Sequence, residues 1–173
     1  MSTKLTIFII FLISLIYLPS LNIFFSADDW FHLRVSQTEN LNEFINFFSF
    51  NKTPQSIAFY RPLSTQVFFF TFQKIFGLNP LPYHLFALIS FAFSLFLLYK
   101  LATILLKSKV KALLALIIYG ISVSNFSRLY FLSAFQEIAL VIFSILCILN
   151  YLKTTIRHRL YAICFFVLAL LCK

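Results

Sequence analysis

The chain has almost no glycine and little charge. Only 2 of its 173 residues are Gly, and 11% are Asp, Glu, Lys or Arg. Soluble domains carry roughly a quarter charged residues, because a folded surface must face water. Here 61% of residues are hydrophobic and 20% aromatic, with 25 Phe and 8 Tyr. A soluble globular domain is excluded. So is a disordered chain, which needs low hydrophobicity and high net charge, whereas the mean hydropathy is +0.94. The lack of glycine also removes the Gly-rich phosphate loop. With only Gly77 and Gly120 in the chain, neither a nucleotide-driven motor nor a Rossmann-type nucleotide-sugar enzyme fits. Cysteine is scarce as well. Cys147, Cys164 and Cys172 lie in apolar runs, and their spacing matches no metal or disulfide framework, so they read as small buried hydrophobes.

Acid is the scarcest charge, with 5 Asp and Glu against 14 Lys and Arg for a net +9. The basic residues fall in short clusters between apolar runs, which is a mark of membrane topology rather than of nucleic-acid binding, and no nucleic-acid partner is expected. About 20 apolar residues span a bilayer as a helix. Five such stretches are predicted, at residues 5–25, 83–106, 112–126, 129–152 and 160–173. The first follows Lys4 without a good cleavage site and reads as an uncleaved helix, with Pro19 kinking its outer end. Asn79-Pro80 and Pro82 punctuate the approach to the second span. The last run is short for a span, which suggests the N-terminal piece of a longer polytopic protein. No internal repeat is visible. The expected fold is therefore all-α, a polytopic membrane helix bundle with a large first extracytoplasmic loop at residues 26–82. Within that loop, Pro62 to Gly77 reads as an amphipathic helix lying at the membrane surface.

The loops Lys107–Lys111 and Lys153–Arg159 are short, basic and free of carboxylates, so they belong in the cytoplasm. The remaining polar groups then gather on the outer side. Asp28-Asp29-Trp30 is the sharpest feature. Two adjacent carboxylates beside a span can place a divalent metal such as Mg²⁺ or Mn²⁺. One can instead act as a general base on an acceptor, or both can simply cap the end of the first helix and face water. Interfacial Trp is an ordinary membrane anchor. Arg61, in Tyr60-Arg61-Pro62-Leu63, offers a planar fork suited to phosphate oxygens or to lipid headgroups. Glu137 is an ionisable group just inside a span, with Arg128 as its candidate partner. His84 stands at the outer end of the second span. The glycosylation patterns at Asn51-Lys52-Thr53 and Asn125-Phe126-Ser127 are frequent by chance and are set aside.

The order of these pieces resembles the N-terminal half of the GT-C class of integral-membrane glycosyltransferases, including the protein O-mannosyltransferases. The likeness covers essentially the whole chain, 1–173. It rests on Asp28-Asp29 after the first helix, on Tyr60-Arg61-Pro62-Leu63, and on Phe76-Gly77-Leu78-Asn79-Pro80 followed by Tyr83-His84-Leu85. Ser133 to Glu137 and Leu170-Leu171-Cys172-Lys173 complete it. The resemblance implies transfer of a sugar from a polyprenyl-phosphate donor to an acceptor glycan, lipid or protein at the extracytoplasmic face. It implies Asp28 as catalytic base or acceptor-positioning carboxylate, with Asp29 as companion. Arg61 and Arg128 would bind donor phosphate, with His84 and Glu137 in the surrounding network. The location expected is a bacterial inner membrane, among membrane lipids. The competing expectation is a non-enzymatic membrane protein, such as a transporter half or an envelope-assembly subunit.

Overall fold

A computed structural model describes residues 3–50 and 60–173, so Asn51-Lys52-Thr53 lies outside the described residues. Every regular element among those described is helical. The α-helices are α1 (Thr3–Ile16), α2 (Asp28–Val35), α3 (Leu41–Asn46), α4 (Phe68–Phe76), α5 (Pro80–Leu106), α6 (Lys109–Gly120), α7 (Ser124–Tyr130), α8 (Phe135–Tyr151) and α9 (Ile156–Leu170). Short 3₁₀ turns occur at Leu18–Asn22 and Leu132–Ala134, and a π-turn at Pro62–Val67.

The expectation of an all-α fold holds, and two to three of its helices are long and apolar enough to cross a membrane. α5 opens with Asn79 as its cap, whose side chain accepts the Leu81 N–H at 3.1 Å. Pro80 takes a first-turn position where a missing N–H costs nothing. Its 27 residues rise about 40 Å, enough to cross a hydrocarbon core of about 30 Å. The stretch Leu132–Tyr151 is also long and apolar enough to cross. α6 and α7 make a third span if the pair, bent by 60°, is counted as one. Ile7, Ile118, Leu160 and Ile163 are each more than half exposed, a surface suited to lipid rather than water.

Several element boundaries differ from those expected. The stretch 5–25 is not one helix. α1 has 14 residues and stops before Tyr17, because Pro19 would clash with the carbonyl four residues back if the α-helix continued. Pro19 instead opens the 3₁₀ turn, so it ends the helix rather than kinking it. The stretch expected at 112–126 starts earlier, where the Ser108 hydroxyl accepts the Lys111 N–H at 3.4 Å. It breaks at Gly120. The carbonyls released there are taken by side chains: Tyr17 Oη donates to the Gly120 carbonyl at 2.7 Å, and Asn125 Nδ2 to that of Tyr119 at 2.6 Å. Asn125 is fully buried, which also rules it out as a glycosylation acceptor. The helix expected at 129–152 begins at Phe135, and that expected at 160–173 runs over Ile156–Leu170.

The segment expected to lie on the membrane surface is built into the bundle on one side. Pro62, Ser64, Thr65 and Gln66 are buried. The Leu63 N–H donates to the Leu171 carbonyl at 3.1 Å, and Ser64 Oγ donates to that of Cys172 at 2.8 Å. Phe68 stacks on Phe135 with ring centroids 4.3 Å apart. Gly77 closes α4 at φ +60, a conformation that residues with a Cβ rarely adopt.

These contacts give the bundle two unlike ends. The start of α5, the start of α8, and the ends of α1, α6 and α9 meet at one end, tied by Tyr17 to Gly120 and by Leu63 to Leu171. The far halves of α5 and α8 share a second apolar cluster of Leu97, Leu101 and Ile145. The basic loops 107–111 and 153–159 follow from those far halves.

Candidate functional site

α2 stands at the first of these ends, and how it begins decides which carboxylate can act. Asp29 is 0% exposed. Its Oδ2 accepts the Ser26 N–H at 3.1 Å, a side chain reaching back over the helix start as in a capping box. Its Oδ1 accepts the Ser133 N–H at 2.6 Å, pinning α2 to the turn before α8. Both oxygens are spent on backbone. Asp29 therefore fixes the architecture, and the acidic pair does not form a chelate. Among the described residues no group of three His, Cys, Asp or Glu is placed to hold a metal. The residues present do not fit the divalent ion considered from the sequence.

Asp28 points elsewhere. It is exposed and lines an open cavity of about 670 Å³ with Phe31, His32, Arg61, Phe131, Ser133 and Gln136. Ala27, which precedes it on the wall, has φ +40 and ψ −111. That is strained backbone for a residue with a Cβ, a cost of order 1–3 kcal/mol that the surrounding bonds must hold in place.

His32 sits one turn after Asp28 on the same helix face. It is 8% exposed, with Phe31 and Phe69 rings each 5.5 Å away, and its carbonyl accepts the Ser36 hydroxyl. Burial lowers its pKa below the usual imidazole value. Asp28 and Asp29 act against that shift and Arg61 with it. Its Nδ1 is buried without a hydrogen-bond partner. Arg61 reaches the cavity from the residue before the π-turn.

The other candidates are engaged beside the cavity. Arg128 Nε donates to Glu137 Oε2 at 2.8 Å, the pairing expected from the sequence. Its Nη1 donates to Asn125 Oδ1 at 2.9 Å. Lys173 Nζ approaches Glu137 Oε1 at 3.9 Å. Arg128 thus serves a network joining α7 to α8. His84 is fully buried, and its Nδ1 donates to the Leu129 carbonyl at 3.1 Å. It tethers α5 to α7. Trp30 is half-exposed against Phe24 and Phe25.

Asp28 and Arg61 therefore come together at one cavity, while Asp29, His84, Arg128 and Glu137 hold its frame. The sequence placed His32 among the groups gathered on the outer side, but it gave neither His32 nor Gln136 a role. No protein-family model, curated protein or solved structure matches the chain.

Proposed function

We propose that the protein is a GT-C-like membrane glycosyltransferase, transferring a sugar from a polyprenyl-phosphate donor to an acceptor hydroxyl at the extracytoplasmic face. In this reading α1, α5, the α6–α7 pair, α8 and α9 are five spans, and the cavity opens on the outer side. One observation carries it. Asp28 and Arg61, far apart in sequence, line the same cavity at the end of the bundle remote from the basic loops.

The chemistry divides between them. The acceptor oxygen forms a bond to the anomeric carbon as the bond from that carbon to the phosphate oxygen breaks. The electron pair leaves with the lipid phosphate. Asp28 takes the acceptor's proton, a role worth roughly 10²–10⁴-fold in rate. The Arg61 guanidinium matches the departing phosphate oxygens and stabilises their charge. Asp29 keeps Asp28 and the strained Ala27 in position.

The test is release of polyprenyl phosphate from a short-chain polyprenyl-phosphate hexose by membranes containing the protein. Asp28→Asn should lower release at least about 100-fold, with insertion into the membrane unchanged. Full activity in that variant would end the assignment. A transporter is the second reading, favoured by the 60° break between α6 and α7, since transporters build sites on interrupted helices. It predicts flux across vesicles without release of polyprenyl phosphate.

A further inference from the structure

Among the described residues, two that line this cavity each carry a buried polar atom without a hydrogen-bond partner. Gln136 Oε1, at the head of α8, and His32 Nδ1, on α2, are both buried without a hydrogen bond, and both residues line the cavity wall. Buried polar atoms are nearly always satisfied, so a pair of orphans flanking one cavity calls for a reason. They share a chemistry. An amide oxygen is an acceptor only. The Nδ1 of a neutral imidazole becomes an acceptor when the proton is on Nε2. Burial holds His32 in that neutral form. A half-turn of the Gln136 amide exchanges its buried oxygen for the amide nitrogen, and the tautomer of His32 sets whether Nδ1 donates or accepts, so each side chain can present an acceptor or a donor to the cavity.

We propose that His32 and Gln136 are the specificity-determining residues of a sugar subsite, reading hydroxyl groups of a hexose in the cavity that both line. Hydroxyls both donate and accept, which suits a neutral imidazole and a primary amide better than it suits fixed charges. Phe31 and Phe131 line the same space and offer apolar surface to the C–H face of a sugar ring. A cavity of about 670 Å³ is within the range of small-ligand sites. The inference rests on the transferase reading for the source of the hexose, but not for the hexose itself.

The experiment compares two probes on the detergent-solubilised protein, citronellyl phosphate and citronellyl phosphoryl mannose. The expected result is that the mannosyl probe binds about tenfold tighter than the bare phosphate. His32→Phe, which keeps a ring against Phe69, and Gln136→Met should each bring that ratio towards one while leaving the bare phosphate's affinity unchanged. His32→Gln, which restores a donor and an acceptor, should recover most of it. A fold defect would weaken both probes together and would not be rescued. Equal binding of the two probes by the unaltered protein overturns the proposal, as does a parallel loss of both in the variants. If neither lipid binds, saturation transfer to methyl α-D-mannopyranoside decides. Transfer abolished by Gln136→Met upholds the sugar subsite while ending the lipid-donor reading, and no transfer ends both.

Discussion

Asp28 and Asp29 are neighbours with opposite duties, and substitution should separate them. Asp29 accepts two backbone N–H groups from inside the fold. Asp29→Ala removes the acceptor from both part-buried donors, and hydrogen bonds to a charged group are worth about 1.5–3 kcal/mol each. A loss of about 3 kcal/mol is expected in thermal or denaturant unfolding in detergent. Asp28 faces the cavity, so Asp28→Asn should stay within about 0.5 kcal/mol of the unaltered protein. His32 gives a pH signature. Its folded pKa lies below the unfolded one, so the unfolded chain binds the extra proton between those two values. Stability is full above about pH 6.5 and falls on acidification until the folded pKa is passed. His32→Phe should flatten that part of the acid-side decline, seen by unfolding at pH 7.5 and 5.5. The pair of carboxylates was legible in the sequence, although it was expected just past the end of the first helix rather than in the first turn of α2. Their division of labour was not, because it is set by the Ser133 N–H, 104 positions further along the chain.

Helix interiors are the part of the architecture that hydropathy reports well, and helix ends are the part it reports poorly. α5 and the body of α8 lie where their apolar runs placed them, while residues 129–134 of the latter run fall to the end of α7 and a 3₁₀ turn. The first and third runs did not give the helices expected, since their ends depend on distant partners. Tyr17 takes the Gly120 carbonyl across the bundle, and no periodicity within either run encodes that. The α1–α6 crossing makes this testable. A Cβ on Gly120 would lie 2.9 Å from Ile13 Cδ1, 3.1 Å from its Cγ2 and 3.5 Å from Leu95 Cδ2. The Cδ1 end can swing aside, whereas Cγ2 is fixed to a stiff β-branched stem. Small residues let membrane helices approach closely in this way. Gly120→Ala should cost about 1 kcal/mol and Gly120→Leu about 3 kcal/mol, in the range seen for overpacking. Ile13→Ala should recover part of the Leu penalty, and a double-mutant cycle by thermal unfolding in detergent measures that coupling. Independent, additive losses would mean that the helices do not meet at Gly120.

At the scale of the whole molecule, the separation of charge and site gives the bundle its direction. The basic loops 107–111 and 153–159 follow the far halves of α5 and α8, while Asp28, Arg61 and Glu137 gather where those helices begin. Basic loops stay in the cytoplasm, so the cavity is expected outside. Two helices have the length and composition to cross a membrane without further argument. α1, with 14 residues, and α9, with 15, are short for a core of about 30 Å. They reach across only with flanking turns, the 3₁₀ turn Leu18–Asn22 in the case of α1. The question is therefore what lies at each end of these two helices. In a background with all three cysteines replaced, single cysteines at Gln37 and Lys173 should react with a membrane-impermeant maleimide added outside intact cells. Cysteines at Thr3 and Arg157 should react only after permeabilisation. Thr3 and Gln37 labelling from the same side would remove α1 from the spans, and Arg157 and Lys173 labelling from the same side would remove α9. Either result leaves fewer spans and places the cavity wall in an interfacial segment, where a lipid-linked donor would reach Arg61 from the membrane edge rather than through the bundle.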